Sequence, residues 1–353
     1  MTGHGGNIHL ASRETGIPVS GIMDFSASIN PLGVPDSVSR AITDSIGSLV
    51  HYPEPFADQL AIHLAAHLGI DVGTVLCGNG STELIYLVAR ALSPGKVLIP
   101  APTFSEYERA CGLARGSVCV RYVLPAGKNF EIGPEGFIDA MQGCDMAFLC
   151  NPNNPTGRIL SREAVRAIAA AADRMACYLV LDEAFIDFTP EYSVVRDVAG
   201  STHLIVLRSL TKFYALSGLR IGYGVFPQAL VRRMRDHKEP WSINTLAQKA
   251  GIAALDDKVY QDKTMTVIRQ EKMFLEQGLR RAGIDYIPSA PNYYLLRIEN
   301  AQAAIAALRK KGILVRDCSN FAGLDRSYIR IAVRSRIENE LLLKELASCV
   351  ALS

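Results

Sequence analysis

No apolar run in this sequence reaches the roughly 20 residues that a membrane-spanning helix requires. The first residues, Met1-Thr2-Gly3-His4-Gly5-Gly6, lack the basic-then-apolar order of a secretory signal. These two absences make the cytoplasm the expected location. Among 8 cysteines there is no C-x-x-C pair. Cys119, Cys150 and Cys177 fall in apolar, strand-like runs and read as small buried hydrophobes, neither disulfides nor metal ligands. A basic stripe is also missing. The 37 Lys and Arg are scattered among 35 Asp and Glu, for a net charge of +2, which argues against nucleic acid or a membrane surface as a partner. His63 and His67 stand four apart, but the glutamate of H-E-x-x-H and a third ligand are lacking, so no metal is expected. The single tryptophan, Trp241, reads as packing near a domain boundary, and Arg232-Arg233-Met234-Arg235 as a solvated helix face.

What is present is a chain of 353 residues, 49% hydrophobic and 20% charged, long enough for about two globular domains. From Thr74 short apolar runs alternate with amphipathic stretches. Strands are predicted at 74–77, 96–99, 117–124, 146–150, 177–181, 203–208 and 220–225. Helices are predicted at 81–92, 104–113 and 161–176. This alternation indicates a largely parallel α/β sheet. After Trp241 a long helical stretch over 244–282 precedes short strands at 293–298, 313–316 and 328–333, a smaller α+β domain. The first 40 or so residues show little pattern beyond turn signals at Gly5-Gly6 and Asn30-Pro31-Leu32-Gly33. The expected organisation is an arm over 1–45 folding onto the smaller domain, a large domain over 46–240 and the small domain over 241–353.

Four motifs carry chemistry, each at a strand end. Ser209-Leu210-Thr211-Lys212 is followed by Gly218-Leu219-Arg220. Its lysine amine can condense with an aldehyde, while Ser209, Thr211 and Arg220 can hold a phosphate dianion. Asp182, in Leu179-Val180-Leu181-Asp182-Glu183, can pair with a pyridine nitrogen and make that ring an electron sink; Glu183 reads as structural. The rigid turn Asn151-Pro152-Asn153-Asn154-Pro155-Thr156-Gly157 can present one Asn to a phenolic oxygen. Gly78-Asn79-Gly80-Ser81-Thr82-Glu83 lacks the Gly-Lys-Ser/Thr of a Walker loop, yet opens a helix whose N-terminus suits a phosphate. Taken singly, each also reads as an ordinary cap, turn or loop lysine.

In this order the four motifs resemble the fold-type I pyridoxal-phosphate enzymes, in the aminotransferase branch around histidinol-phosphate aminotransferase, over nearly the whole chain. The resemblance implies a seven-stranded, mostly parallel sheet, pyridoxal 5'-phosphate as cofactor, and a homodimer with sites at the subunit interface. It implies Lys212 as the Schiff-base lysine, Asp182 as the pyridinium partner and Asn154 as the ligand of the phenolic oxygen. Gly80, Ser81, Thr82, Ser209, Thr211 and Arg220 match the phosphate cup, Phe104 the stacking aromatic, and Tyr52 a tyrosine that reaches the neighbouring subunit. Arg330 matches the arginine that grips the substrate α-carboxylate.

Several strings are similar to a narrower family, the L-threonine-O-3-phosphate decarboxylases of cobalamin biosynthesis. They include His4-Gly5-Gly6-Asn7, Asp24-Phe25-Ser26-Ala27-Ser28-Ile29-Asn30-Pro31 and Pro240-Trp241-Ser242-Ile243-Asn244. That family forms (R)-1-amino-2-propanol O-phosphate. Phe185 stands where the aminotransferases carry a tyrosine bonded to the phenolic oxygen. Alternatives are a histidinol-phosphate-type aminotransferase, an O-phospho-L-serine decarboxylase, and a non-catalytic cofactor-binding module, which the intact Lys212 disfavours. For the substrate's second anion the candidates are His4, Gly5, Gly6, Asn7, Asn30, Arg316 and Arg334. The glycines are expected to expose backbone N–H groups, and Arg316 competes with an ion pair to Asp317.

Overall fold

A computed structural model describes residues 4–114 and 116–350. In chain order its strands are Met23–Asp24 (β1), Val75–Gly78 (β2), Lys96–Ala101 (β3), Val118–Val123 (β4), Met146–Cys150 (β5), Tyr178–Asp182 (β6), Leu204–Ser209 (β7), Gly222–Val225 (β8), Asp285–Tyr286 (β9), Tyr293–Arg297 (β10), Ile313–Leu314 (β11), Arg316–Asp317 (β12) and Tyr328–Ala332 (β13). The large sheet has the order β2-β8-β7-β6-β5-β3-β4, and only β8 runs against its neighbours. Its central strands are buried along their length, because helices cover both faces, so they read as continuous apolar runs. The helix Ser81–Leu92 buries Leu84, Ile85, Leu87, Val88 and Ala91 along one face. The helix Arg162–Met175 starts where Ser161 accepts the Ala164 amide at 3.2 Å and ends at Ala176 in the left-handed conformation.

The parallel strands β2, β5, β6 and β7 all end on one rim. The four motifs follow or close these strands at Gly78, Cys150, Asp182 and Ser209. The C-terminal edge of a parallel sheet is where loops can diverge and leave a crevice for ligands.

Three elements differ from expectation. The long helix over 244–282 is two helices, Thr245–Asp256 and Lys258–Arg281, because Asp257 leaves helical geometry and caps the second by accepting the Tyr260 amide at 2.9 Å. The strand over 313–316 divides between sheets: β11 pairs in parallel with β1, and β12 joins the antiparallel sheet β12-β13-β10-β9. The first 40 residues are more regular than their pattern suggests, with helices Ile8–Thr15 and Asp36–Ser45 around β1. This segment is stitched to C-terminal strands through Met23 N to Gly312 O, Phe25 N to Leu314 O and Ala332 N to Phe25 O, each 2.8 Å. The helix Asp58–Leu68 holds His63 and His67 at their four-residue spacing, and the helix Pro134–Ala140 goes beyond the elements read from the pattern. Among the described residues no helix is long and apolar enough to cross a membrane, no cluster of His, Cys, Asp and Glu suits a metal, and the cysteines form no disulfide.

Candidate active site

At the C-terminal rim of the sheet a cavity of about 530 Å³ opens, lined by Ser81, Thr82, Phe104, Asn154, Asp182, Phe185, Lys212, Arg316 and Arg330, with His4, Gly5 and Gly6 from the N-terminal segment. Lys212 follows β7 by three residues. Its Nζ donates to Thr211 Oγ1 at 2.8 Å, and Thr211 Oγ1 lies 2.7 Å from Ser209 Oγ. Burial, then the positive charges of Arg220 and Arg330, lower the Lys212 amine to about 8. An amine so placed is neutral far more often near neutral pH than a free lysine, which a nucleophile toward an aldehyde requires.

Asp182 ends β6 and is fully buried. Burial pushes its carboxyl up, while a 2.6 Å hydrogen bond from Tyr107 Oη and the Ala184 amide at 2.9 Å pull it back toward the ionised form. The ring of Tyr107 stacks on Phe148 at 4.7 Å, so this donor is held by the core. Neighbouring Glu183 is structural: it accepts Ser193 Oγ at 2.6 Å and the Val194 amide at 3.0 Å.

Residues that the resemblance places in a phosphate cup meet near the N-terminus of one helix. Gly80 precedes the helix Ser81–Leu92 with φ +77°, and a Cβ there would come within 2.6 Å of an Arg220 guanidinium nitrogen. Arg220 itself has φ +56°, a conformation costing a non-glycine residue about 1 kcal/mol, which brings its side chain to the helix N-terminus. First-turn amides of a helix have no partner within it and suit an anion. The set fits pyridoxal phosphate: Arg220 stands beside the helix N-terminus, and a buried carboxylate, an amine of lowered basicity and a phenyl ring, Phe104, share one cavity.

At the other end two arginines face each other. Arg316 and Arg330 are directly opposed partners across β12 and β13, both buried and both on the cavity wall. Neither forms an ion pair among the described residues. The alternative pairing of Arg316 with Asp317 is not made; Arg316 donates to Asn320 Oδ1 at 2.8 Å and lies over Phe321, and Asp317 accepts the Ser319 amide. Arg330 donates to Asn154 Oδ1 and, at 2.9 Å, to Ser26 O, and its Nε is buried without a partner. The Asn154 carboxamide therefore turns its oxygen to Arg330.

The class I and II aminotransferase family model matches residues 20–346. The chain belongs to that family. It is thus a pyridoxal-phosphate enzyme of the aminotransferase fold. The threonine-phosphate decarboxylase of Salmonella typhimurium is 41% identical over 97% of this chain and 95% of its own length. Among solved structures, the histidinol-phosphate aminotransferase of Clostridium acetobutylicum superposes with a TM-score of 0.87 at 30% identity, covering 93% of this chain and 99% of its own. The L-threonine-O-3-phosphate decarboxylase of Porphyromonas gingivalis superposes with a TM-score of 0.82 at 29% identity and the same coverage.

Not every residue singled out in the sequence of this aminotransferase-family enzyme reaches the cavity. Asn30 is consumed by the fold: its Nδ2 donates to Phe213 O at 2.7 Å and Thr264 Oγ1 at 2.8 Å, and its Oδ1 accepts the Leu32 amide. Asn7 caps the helix Ile8–Thr15 through the Leu10 amide. Arg334 is paired with Glu338 at 2.6 Å and donates to Asp24 O, and it is not among the residues that line the cavity. Of the two glycines expected to expose backbone N–H groups, both line the cavity, but the Gly6 N–H is already engaged. Gly6 donates its N–H to Ser26 Oγ at 2.8 Å, and a Cβ on Gly5 would come within 2.3 Å of Ser26 O; the glycines serve close packing of two segments. Tyr52 is 86% exposed, stands against half-exposed Trp241 with rings 5.5 Å apart, and does not touch the cavity of its own chain. The motifs did not reveal Tyr107, three residues past Phe104 in the first turn of the helix Glu106–Leu113, or Glu106 beside it. Helical spacing from Phe104 was the available signal.

Proposed function

We propose that this enzyme decarboxylates O-phospho-L-threonine to (R)-1-amino-2-propanol O-phosphate, supplying the linker of the cobalamin nucleotide loop. The observation that carries the reading is the Arg316–Arg330 pair. Two guanidiniums opposed across a sheet, buried and without carboxylate partners, repel each other until anions arrive. A substrate with a carboxylate at one end and a phosphate at the other supplies both. The 41% identity to a threonine-phosphate decarboxylase supports the same substrate class.

Bound pyridoxal phosphate supplies an aldehyde for the substrate amine and a cationic ring that receives the electron pair of the breaking Cα–COO⁻ bond. The protein's own groups do the rest. Asp182 holds the proton on the ring nitrogen. Asn154 Nδ2 donates to the phenolic oxygen, a task that Phe185 cannot share for want of a hydroxyl. Ser81, Thr82, Ser209, Thr211 and Arg220 hold the cofactor phosphate. Arg330 orients the α-carboxylate through its planar fork, and Arg316 with His4 takes the substrate phosphate. Lys212 Nζ returns a proton to Cα; an amine near 8 gives and takes protons close to working pH.

In the same reading the enzyme is a cytoplasmic homodimer divided at 1–45, 46–240 and 241–353, with Tyr52 of each subunit entering the other's phosphate cup. The exposed apolar run Ile46, Leu49, Val50 and Tyr52 beside Trp241 supports that assembly. The deciding assay supplies purified protein with pyridoxal phosphate and O-phospho-L-threonine without a 2-oxo acid. Stoichiometric CO₂ and the amino alcohol phosphate are expected. Turnover of histidinol phosphate that requires a 2-oxo acid, with no CO₂ from O-phosphothreonine, overturns the proposal in favour of an aminotransferase. Faster release from O-phospho-L-serine reassigns the substrate.

A further inference from the structure

Glu106 is a buried carboxylate that the catalytic scheme above does not use. It lies on the helix Glu106–Leu113, and each of its oxygens is engaged. Oε2 accepts Tyr86 Oη from the neighbouring helix at 2.5 Å, and Oε1 lies 2.9 Å from Nε2 of His4. Burial, with the hydrogen bond to Glu106 next, pushes the Tyr86 phenol up to about 12, so it remains a donor. Arg109 Nη1 stands 3.7 Å from the same carboxylate. His4 belongs to the N-terminal segment, lines the cavity, and sits 6.0 Å from the Phe104 ring. A residue 102 positions away is thus tied to the helix that carries Tyr107 and follows directly on Phe104.

A carboxylate only accepts hydrogen bonds, so a donor must occupy Nε2 of His4. The other ring nitrogen, Nδ1, is then the one left for a ligand. In a neutral imidazole with its proton on Nε2, Nδ1 presents a lone pair and repels an anion. In the imidazolium form Nδ1 carries a proton and donates. We propose that Glu106 is a positioning residue that fixes the His4 ring at the cavity with Nε2–H committed, so that His4 grips the substrate's phosphate only as an imidazolium bridging Glu106 and that anion. Tyr86 holds Glu106 in place for this task. The charged and titratable groups that bear on His4 are Glu106 and Arg109 on one helix, Tyr86 on the next, Asp24 at the end of β1, and Arg316, Arg330 and Lys212 around the cavity.

This inference rests on the proposed phosphorylated substrate, and the two are separable by experiment. The holoenzyme is compared with His4→Ala, Glu106→Gln, Tyr86→Phe and the double variant His4→Ala/Glu106→Gln, after confirming that the thermal transitions and cofactor bands match. Glu106→Gln is expected to raise KM for O-phospho-L-threonine about tenfold, the loss of one hydrogen bond to a charged group, with kcat changed less than about twofold. The double variant should be no worse than His4→Ala, because both substitutions break one chain of contacts. Equal KM in wild type and Glu106→Gln, or additive losses in the double variant, overturns the proposal. Absence of CO₂ from the wild type rejects the substrate reading instead. The Glu106 role is then decided by titrating the cofactor band with inorganic phosphate: tenfold weaker binding in Glu106→Gln supports it, and unchanged binding refutes it.

Discussion

Tyr107→Phe isolates the group that sets the charge on Asp182. The substitution keeps the ring stacked on Phe148 at 4.7 Å and removes only the hydroxyl that donates to Asp182 Oδ2 at 2.6 Å. Burial already pushes the Asp182 carboxyl above its ordinary value of 3.8, and the Tyr107 hydrogen bond is the first of the effects that oppose it. A hydrogen bond to a charged group contributes about 1.5–3 kcal/mol. The carboxyl should therefore rise further when the donor is lost. Activity that needs the carboxylate then fails at higher pH, and the acid limb of the kcat/KM profile moves toward neutrality. Cofactor retention on dialysis at mildly acidic pH should weaken in parallel, because a protonated Asp182 cannot pair with a protonated ring nitrogen. In the cofactor-free protein the sign for folding follows from the raised value. Asp182 contributes most below 3.8, and that contribution is lost as pH rises through its folded value, more so in Tyr107→Phe. An acid limb that moves by less than about 0.3 unit refutes the assignment of Tyr107 as the donor that keeps Asp182 ionised.

Borohydride reduction of the holoenzyme should bleach its visible band and leave the cofactor on the peptide containing Lys212; Lys212→Ala should keep the fold and lose turnover, and label on another lysine contradicts the site. Arg316→Ala should raise KM for O-phosphothreonine by about 2–4 kcal/mol with an unchanged cofactor band, since its partner is a desolvated anion. Wild-type kinetics in that variant would move the phosphate to His4 and its neighbours. Heterodimers of Lys212→Ala with Tyr52→Phe contain one intact site when Tyr52 serves the opposite subunit, so activity should return on mixing. Proven subunit exchange without rescue returns Tyr52 to its own chain.

The sequence by itself determined most of the large sheet and one end of the site. Buried parallel strands must be short apolar runs, and the residues after them must be turn and capping types, so Gly80, Asn154, Asp182 and Lys212 were legible where those patterns stop. The family resemblance, carried by the same local strings, named the cofactor and the arginine at position 330. What tertiary structure alone decided depends on partners far apart in the chain. Asn30 and Asn7 are the kind of residue that binds ligands, and only their long-range or capping bonds reveal that the fold has used them. Arg334 and Arg316 look alike in sequence, yet Glu338 one helical turn away neutralises the first, while the second is set opposite Arg330 by strand register. Val315 reads as the middle of one strand, but β1 captures the residues before it and β13 those after it. Glu106 shows no local pattern at all; its reach to His4, 102 residues away, exists because β1 pairs with β11 and brings the N-terminal segment over the cavity. Local patterns report the forces along a strand or helix, whereas the pairing of distant charges depends on which surfaces the packed chain brings together.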